Sequence, residues 1–245
     1  MMTRSSTIVL ITAAGFATAP GFLDPFRARL HESFVQLGYA VRSSSLLPYG
    51  DWQRSKPQQL WEIYHDLRLR PEAYTQSIGG NRLHHWLARA AAGASDDPHH
   101  YVMVGHSGGG VAVVHAAYML MQAQKRVLGV VQIGTPKCSI AEELQARTLY
   151  VRGMFRSQVK RSKRWVVDPI TRMGGWGASI ASPNRRVNPP GTIIDIPLIG
   201  GHPDYFRQTA PYVRDGVGSN ETVTYRTVWS WITARLAAEA EHDKA

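Results

Sequence analysis

The turn Gly105-His106-Ser107-Gly108-Gly109 constrains this chain more than any other stretch of it. The apolar run Tyr101 to Val104 leads straight into the turn. A second apolar run, Val111 to Gln122, follows it. The first reads as a short buried strand and the second as a helix. As a string, G-x-S-x-G is common. Its place between a strand and a helix is what gives it weight. Glycines flank the serine because the neighbouring backbone and helix leave no room for a Cβ. So sharp a turn lifts the Ser107 side chain above the sheet. The first N–H groups of the new helix then face the same point, where they favour a developing anion. A phosphate-binding turn is the alternative. It would need a closing Lys-Ser/Thr or G-x-G-x-x-G spacing, and neither is present.

The rest of the chain alternates in the same way. Thr7 to Thr12 is a β-branched run suited to a buried parallel strand. Asp24-Pro25 opens a helix in which Phe26, Leu30, Phe34 and Leu37 recur at helical spacing. Tyr39 to Leu46 reads as a second strand, Leu47 to Tyr74 as irregular and partly helical, and Gln76 to Ala92 as a helix. Val127 to Ile133 and Leu149 to Val151 read as a fourth and a fifth strand. Proline and glycine are frequent from Asp168 to Gly191. Thr192 to Ile199 is a sixth strand, and Asn220 to Ala238 a final amphipathic helix. This order predicts a three-layer α/β/α fold around a mostly parallel sheet of about six strands. Ligands in such sheets sit at the carboxyl ends of strands, where Ser107 falls.

At 245 residues the chain suits one α/β domain, 1–245, with a cap or excursion at about 153–191. Cys138 is the single cysteine, so no internal disulfide forms, which favours a reducing, cytoplasmic setting. Arg4, the apolar run Ile8 to Ala14 and Ala17-Thr18-Ala19 imitate a secretory leader. We read the run as a strand, since cleavage would remove the only strand ahead of the first helix. No apolar stretch approaches the ~20 residues needed to span a bilayer. The formal charge is +10, and Arg152, Arg156, Lys160, Arg161, Lys163 and Arg164 cluster without an acid. Such a run is ordinarily a solvated face. It is also the one candidate here for an anionic ligand. No nucleic-acid motif accompanies it, so no nucleic-acid partner is expected. The pairs His84-His85 and His99-His100 lack the spacing of metal ligands.

These residues resemble the α/β-hydrolase superfamily, in particular its small bacterial esterase- or lipase-like members. The resemblance rests on four segments. They are the strand and loop at Ile8 to Phe22, the turn at Gly105 to Gly109, Ile133-Gly134-Thr135-Pro136, and Ile199-Gly200-Gly201-His202-Pro203-Asp204-Tyr205-Phe206. Six residues precede the first strand here, so the expected form is a reduced sheet of about six strands without the family's amino-terminal hairpin.

The resemblance implies that Ser107 is a nucleophile and that a later histidine serves as its base. Three histidines follow Ser107. His115 lies about 12 Å further along the helix axis, at 1.5 Å per residue. His242 is in a polar tail. His202 follows the sixth strand and Gly200-Gly201, and is the candidate. The resemblance also implies an oxyanion hole. Gly108 supplies the N–H after the nucleophile, and Phe16, in Ala14-Gly15-Phe16, supplies the N–H from the loop after the first strand. The family's acid should follow the fifth strand shortly. Here Arg152 to Val159 holds no carboxylate. Glu142, Glu143, Asp168 and Asp195 are the carboxylates between Ser107 and His202. Asp168, in Val166-Val167-Asp168-Pro169 at a strand-to-turn boundary, is the choice.

The expected activity is hydrolysis of a small-molecule carboxylic ester or thioester through an acyl-enzyme on Ser107, with no cofactor and no metal. The aromatics between 49 and 64, with Trp165, Met173 and Trp176, would shape an apolar acyl pocket. The alternative is a ligand- or protein-binding member of the same fold that has lost its acid.

Overall fold

Among the described residues, six parallel strands and one short antiparallel strand make the sheet. The computed structural model describes residues 7–91, 99–156, 165–176 and 188–242. The strands are β1 (Thr7–Ala14), β2 (Ala40–Leu46), β3 (His99–His106), β4 (Arg126–Ile133), β5 (Thr148–Arg156), β6 (Trp165–Val167) and β7 (Thr192–Ile199). The parallel order is β2-β1-β3-β4-β5-β7. Helices are α1 (Asp24–Gln36), α2 (Lys56–Leu67), α3 (Ile78–Ala91), α4 (Gly109–Gln122), α5 (Glu142–Gln145) and α6 (Asn220–His242).

Side-chain alternation along the central strands explains the three layers. Ile8 and Leu10 of β1, with Val102 and Val104 of β3, meet Phe26, Leu30 and Phe34 of α1 and Val228 and Ile232 of α6. Val9, Ile11, Tyr101 and Met103 point the other way. They meet Leu83 and Leu87 of α3 and the apolar run Val111 to Ala117 of α4. Each of these fully buried aliphatic or aromatic side chains contributes roughly 1.5–3 kcal/mol relative to exposure. β1 is buried along its whole length and paired on both edges, which is why the run Ile8 to Ala14 is so apolar.

The strand order changes direction at β1: β2 lies on one side of it and β3 on the other. Ligands in such sheets sit at the carboxyl edge beside that switch. Gly15 and Ser107 both lie on that edge.

Three elements differ from the sequence reading. β5 is nine residues long and continues to Arg156. β6 returns antiparallel along its end, pairing Met154 with Val167. β4 pairs only as far as Val151 on that edge of β5, which leaves the edge open for β6. Third, the helical part of Leu47 to Tyr74 is α2, and its burial pattern is inverted. Gln59, Glu62 and Asp66 are its buried residues. Leu60, Trp61 and Tyr64 are more than half exposed. Periodicity of apolar residues therefore pointed to no buried face.

Of the excursion at 153–191, residues 153–156 and 165–167 belong to the sheet. Residues 157–164 and 177–187 lie outside the described residues. So does most of the basic cluster. Its first member, Arg152, forms a bidentate pair with Asp195 at 2.6 and 2.8 Å. Among the described residues no helix is long and apolar enough to cross a membrane.

Candidate active site

Ser107 follows the last residue of β3 and has φ of 55°, a left-handed conformation unusual outside glycine. Its N–H bonds to Ile133 O at the end of β4, 3.0 Å away, which anchors the turn to the sheet. The glycines around it are steric necessities. A Cβ on Gly105 would lie 2.4 Å from Gly110 Cα, and one on Gly109 2.3 Å from Ala13 O. A Cβ on Gly15 would lie 2.4 Å from Gly108 N. The loop after β1 thus presses directly on the turn. The N–H groups of Phe16 and Gly108 take part in no hydrogen bond among the described residues.

The structure brings Asp168 and His202 together. Asp168 is fully buried and directly follows β6. Its N–H bonds to Gly153 O at 2.9 Å, which sets it beside the middle of β5. The carboxylate position that the sequence lacks just after Val151 is filled from the neighbouring strand. Oδ1 accepts the Ile170 N–H at 3.0 Å. Oδ2 accepts the Tyr205 hydroxyl and faces His202 Nδ1, both at 2.8 Å. A carboxylate only accepts, so Nδ1 is the donor and a neutral His202 carries its lone pair on Nε2. That Nε2 is buried and makes no hydrogen bond among the described residues. Ser107 and His202 line one cavity without a hydrogen bond between them.

Two further residues, given no role in the sequence reading, hold this pair. Tyr205 is buried, and its hydroxyl accepts the Gly153 N–H at 2.6 Å while donating to Asp168. Burial, and then the carboxylate beside it, push the phenol well above its usual pKa, so it stays a donor. Gly134 clears the space: a Cβ there would lie 2.8 Å from the Tyr205 ring and 3.0 Å from Asp168 Oδ2. His106 stacks on His202, ring centroids 4.9 Å apart and planes at 21°. Its Nε2 donates to His202 O at 3.3 Å. Burial, with His202 alongside, lowers His106 to a pKa of about 3, so it is neutral at ordinary pH. The sequence signal for His106 was its place inside the turn. For Tyr205 it was proximity to His202.

The other candidates lie elsewhere. Asp195 is spent on Arg152. Glu142 and Glu143 open α5. His115 is buried in α4 and bonds Ser77 Oγ at 2.9 Å. Cys138 is buried, and burial raises its thiol to a pKa of about 12, which keeps it protonated. Among the described residues, no group of three or more His, Cys, Asp or Glu side chains is placed to hold a metal.

The cavity measures about 330 Å³. Phe16, Phe22, Leu60, Ile63, Ile170 and Met173 form most of its wall, and no Asp, Glu, Lys or Arg lines it among the described residues. An apolar chamber with a few convergent polar groups is what a small-molecule site requires.

No family model matches this chain, and no curated protein matches it. Among solved structures, the chain is similar to the thioesterase domain of NocB from the nocardicin cluster. The alignment covers 93% of this chain and 95% of that one, at 14% identity and a TM-score of 0.39. A likeness at that level carries no inference about activity.

Proposed function

We propose that this protein is a serine hydrolase of the α/β-hydrolase type, cleaving a carboxylic ester or thioester with an apolar acyl group. One observation carries the reading: a left-handed Ser107 shares a cavity with His202, whose Nδ1 is held by buried Asp168. The geometry supports the following steps. Substrate draws Ser107 Oγ and His202 Nε2 together, a contact that is often loose in an empty site. Nε2 takes the hydroxyl proton as Oγ attacks the acyl carbon. Gly108 and Phe16 N–H groups bind the tetrahedral oxyanion. The C–O or C–S bond then breaks, and His202 returns the proton to the leaving group. Water repeats the sequence and frees the acid. Asp168 accepts the Nδ1 hydrogen bond throughout and faces the imidazolium whenever it forms, and Tyr205 and Ile170 hold its oxygens in place.

The rival reading, a binding protein without a triad acid, drew its support from the missing carboxylate after β5. Asp168 at 2.8 Å from His202 removes that support. The anionic-ligand reading of 152–164 loses its first member to Asp195 and is not carried forward. We further read the chain as one domain, with the 153–191 excursion as part of its cap, acting in the cytoplasm.

The test is hydrolysis of short p-nitrophenyl esters and thioesters, together with labelling by a fluorophosphonate. Wild-type protein is expected to do both, and Ser107→Ala neither, with the fold unchanged by circular dichroism. Undiminished turnover by Ser107→Ala refutes the assignment.

A further inference from the structure

Gln59 is fully buried in α2, yet none of the catalytic steps uses it. All of its polar capacity points away from its own helix. Oε1 accepts the Ala17 N–H at 2.9 Å. Nε2 donates to Asp51 O at 2.7 Å and to Arg54 O at 3.0 Å. A buried amide with three good bonds is costly to disturb, because each lost partner leaves a desolvated group behind. Here the bonds tie three segments together: α2, the loop at 51–54, and the loop after β1.

Ala17 is the informative partner. It has φ of 48°, a left-handed conformation that an alanine does not adopt unaided. Such strain persists only where the surroundings over-determine it. Gln59 is one restraint. Thr18 supplies others, through its Oγ1 to Phe16 O at 3.2 Å and its carbonyl to Trp52 N–H at 3.1 Å. The residue so restrained directly follows Phe16, whose N–H is the second oxyanion donor in the proposed mechanism. An oxyanion donor works only when aimed in advance, so rigidity of this loop is a catalytic requirement.

The same helix carries the wall of the cavity. Leu60 and Ile63 line it one and four residues beyond Gln59. Glu62 fixes the helix from behind, held by Arg54 at 2.5 and 2.6 Å and by Arg82 at 2.7 and 3.1 Å. The part of α2 that touches an acyl chain is thus rigidly joined to the part that aims the loop.

We infer that Gln59 is a positioning residue that presets the oxyanion hole by pinning Ala17, and so couples the acyl-pocket helix to it. This rests on the serine-hydrolase reading. It implies that Gln59 acts on the transition state more than on substrate binding.

The test uses Gln59→Met, close in size but without the amide. Glu239→Gln serves as a control: it weakens the pairs of α6 with Arg126 and Arg147 at the opposite edge of the sheet, away from α2 and the cavity. Gln59→Met is expected to lower kcat by about 10- to 100-fold with KM within about twofold. Its affinity for an alkyl trifluoromethyl ketone, whose adduct on Ser107 places an oxyanion in the hole, should fall by the same factor. Glu239→Gln should leave both kcat and the ketone affinity within about twofold. The inference is overturned if Gln59→Met loses nothing, if its loss is in KM alone, or if Glu239→Gln loses as much. Hydrogen exchange in the wild-type protein gives a check that needs no variant. The Ala17 amide should exchange far more slowly than an unbonded loop amide, and fast exchange overturns the pin. Wild-type protein inert to both esters and fluorophosphonate defeats the underlying reading, and this inference with it.

Discussion

Replacing His115 by asparagine takes a titrating group out of the core while leaving a donor in its place. His115 is fully buried, with Tyr74 stacked on it at 4.1 Å. Ser77 Oγ donates to Asp66 Oδ2 at 2.8 Å, so His115 Nδ1 must donate to Ser77. Nε2 is then the bare nitrogen, and it is buried without a hydrogen bond among the described residues. A proton there would be a charge with no acceptor. Burial accordingly lowers the pKa from its usual 6.5 to about 4, against the pull of Asp66 and with a small push from His65. The unfolded chain binds a proton below about pH 6.5, and the folded one only near pH 4. Protons therefore favour unfolding, and stability falls as pH falls through this window. Above about pH 6.5 the group contributes no pH dependence. The whole difference is about 3 kcal/mol, and the slope between pH 5 and 6 is about 1 kcal/mol per pH unit. Urea unfolding of wild type and His115→Asn at steps from pH 5 to 7 measures it. Asparagine leaves a small cavity and is expected to be less stable at pH 7. Its stability should nonetheless fall less steeply with acid, by about 1 kcal/mol per pH unit. Equal slopes in the two proteins refute the reasoning. His106, lowered to about 3 for the same reason, supplies a parallel slope that should survive in the variant.

Asp168→Asn is expected to lower kcat by roughly 10⁴ while leaving KM little changed, since it disturbs the His202 tautomer and not the cavity; steady-state kinetics checks it, and a change below about tenfold contradicts the assignment. Tyr205→Phe strands the Gly153 N–H and one bond of Asp168. Chemical denaturation should register a loss of about 1–3 kcal/mol, accompanied by slower turnover. Gly15→Ala drives a Cβ to 2.4 Å from Gly108 N, with backbone on both sides. Loss of ester hydrolysis and a clearly lowered Tm are expected, and a variant with wild-type kinetics would show that the two loops are not in contact.

Much of this protein was legible in its sequence because the relevant physics is local. A strand entering a helix through Gly105 to Gly109 needs glycine at each close approach, and those requirements fall within a few residues. The alternation of apolar runs likewise states that the sheet is parallel and covered on both faces. Even the position of His202 follows from chain order and its place after a strand. The contact between Asp168 and His202 is of another kind. It joins residues 34 apart, and it exists because β4 ends at Ile133, opposite Val151, and leaves an edge of β5 for β6 to occupy. No local pattern encodes a vacancy on a neighbouring strand. α2 escaped for the opposite reason. Its buried face is made of Gln59, Glu62 and Asp66, each satisfied by partners remote in sequence. A polar residue can be interior only when such partners surround it, and only the folded chain assembles them.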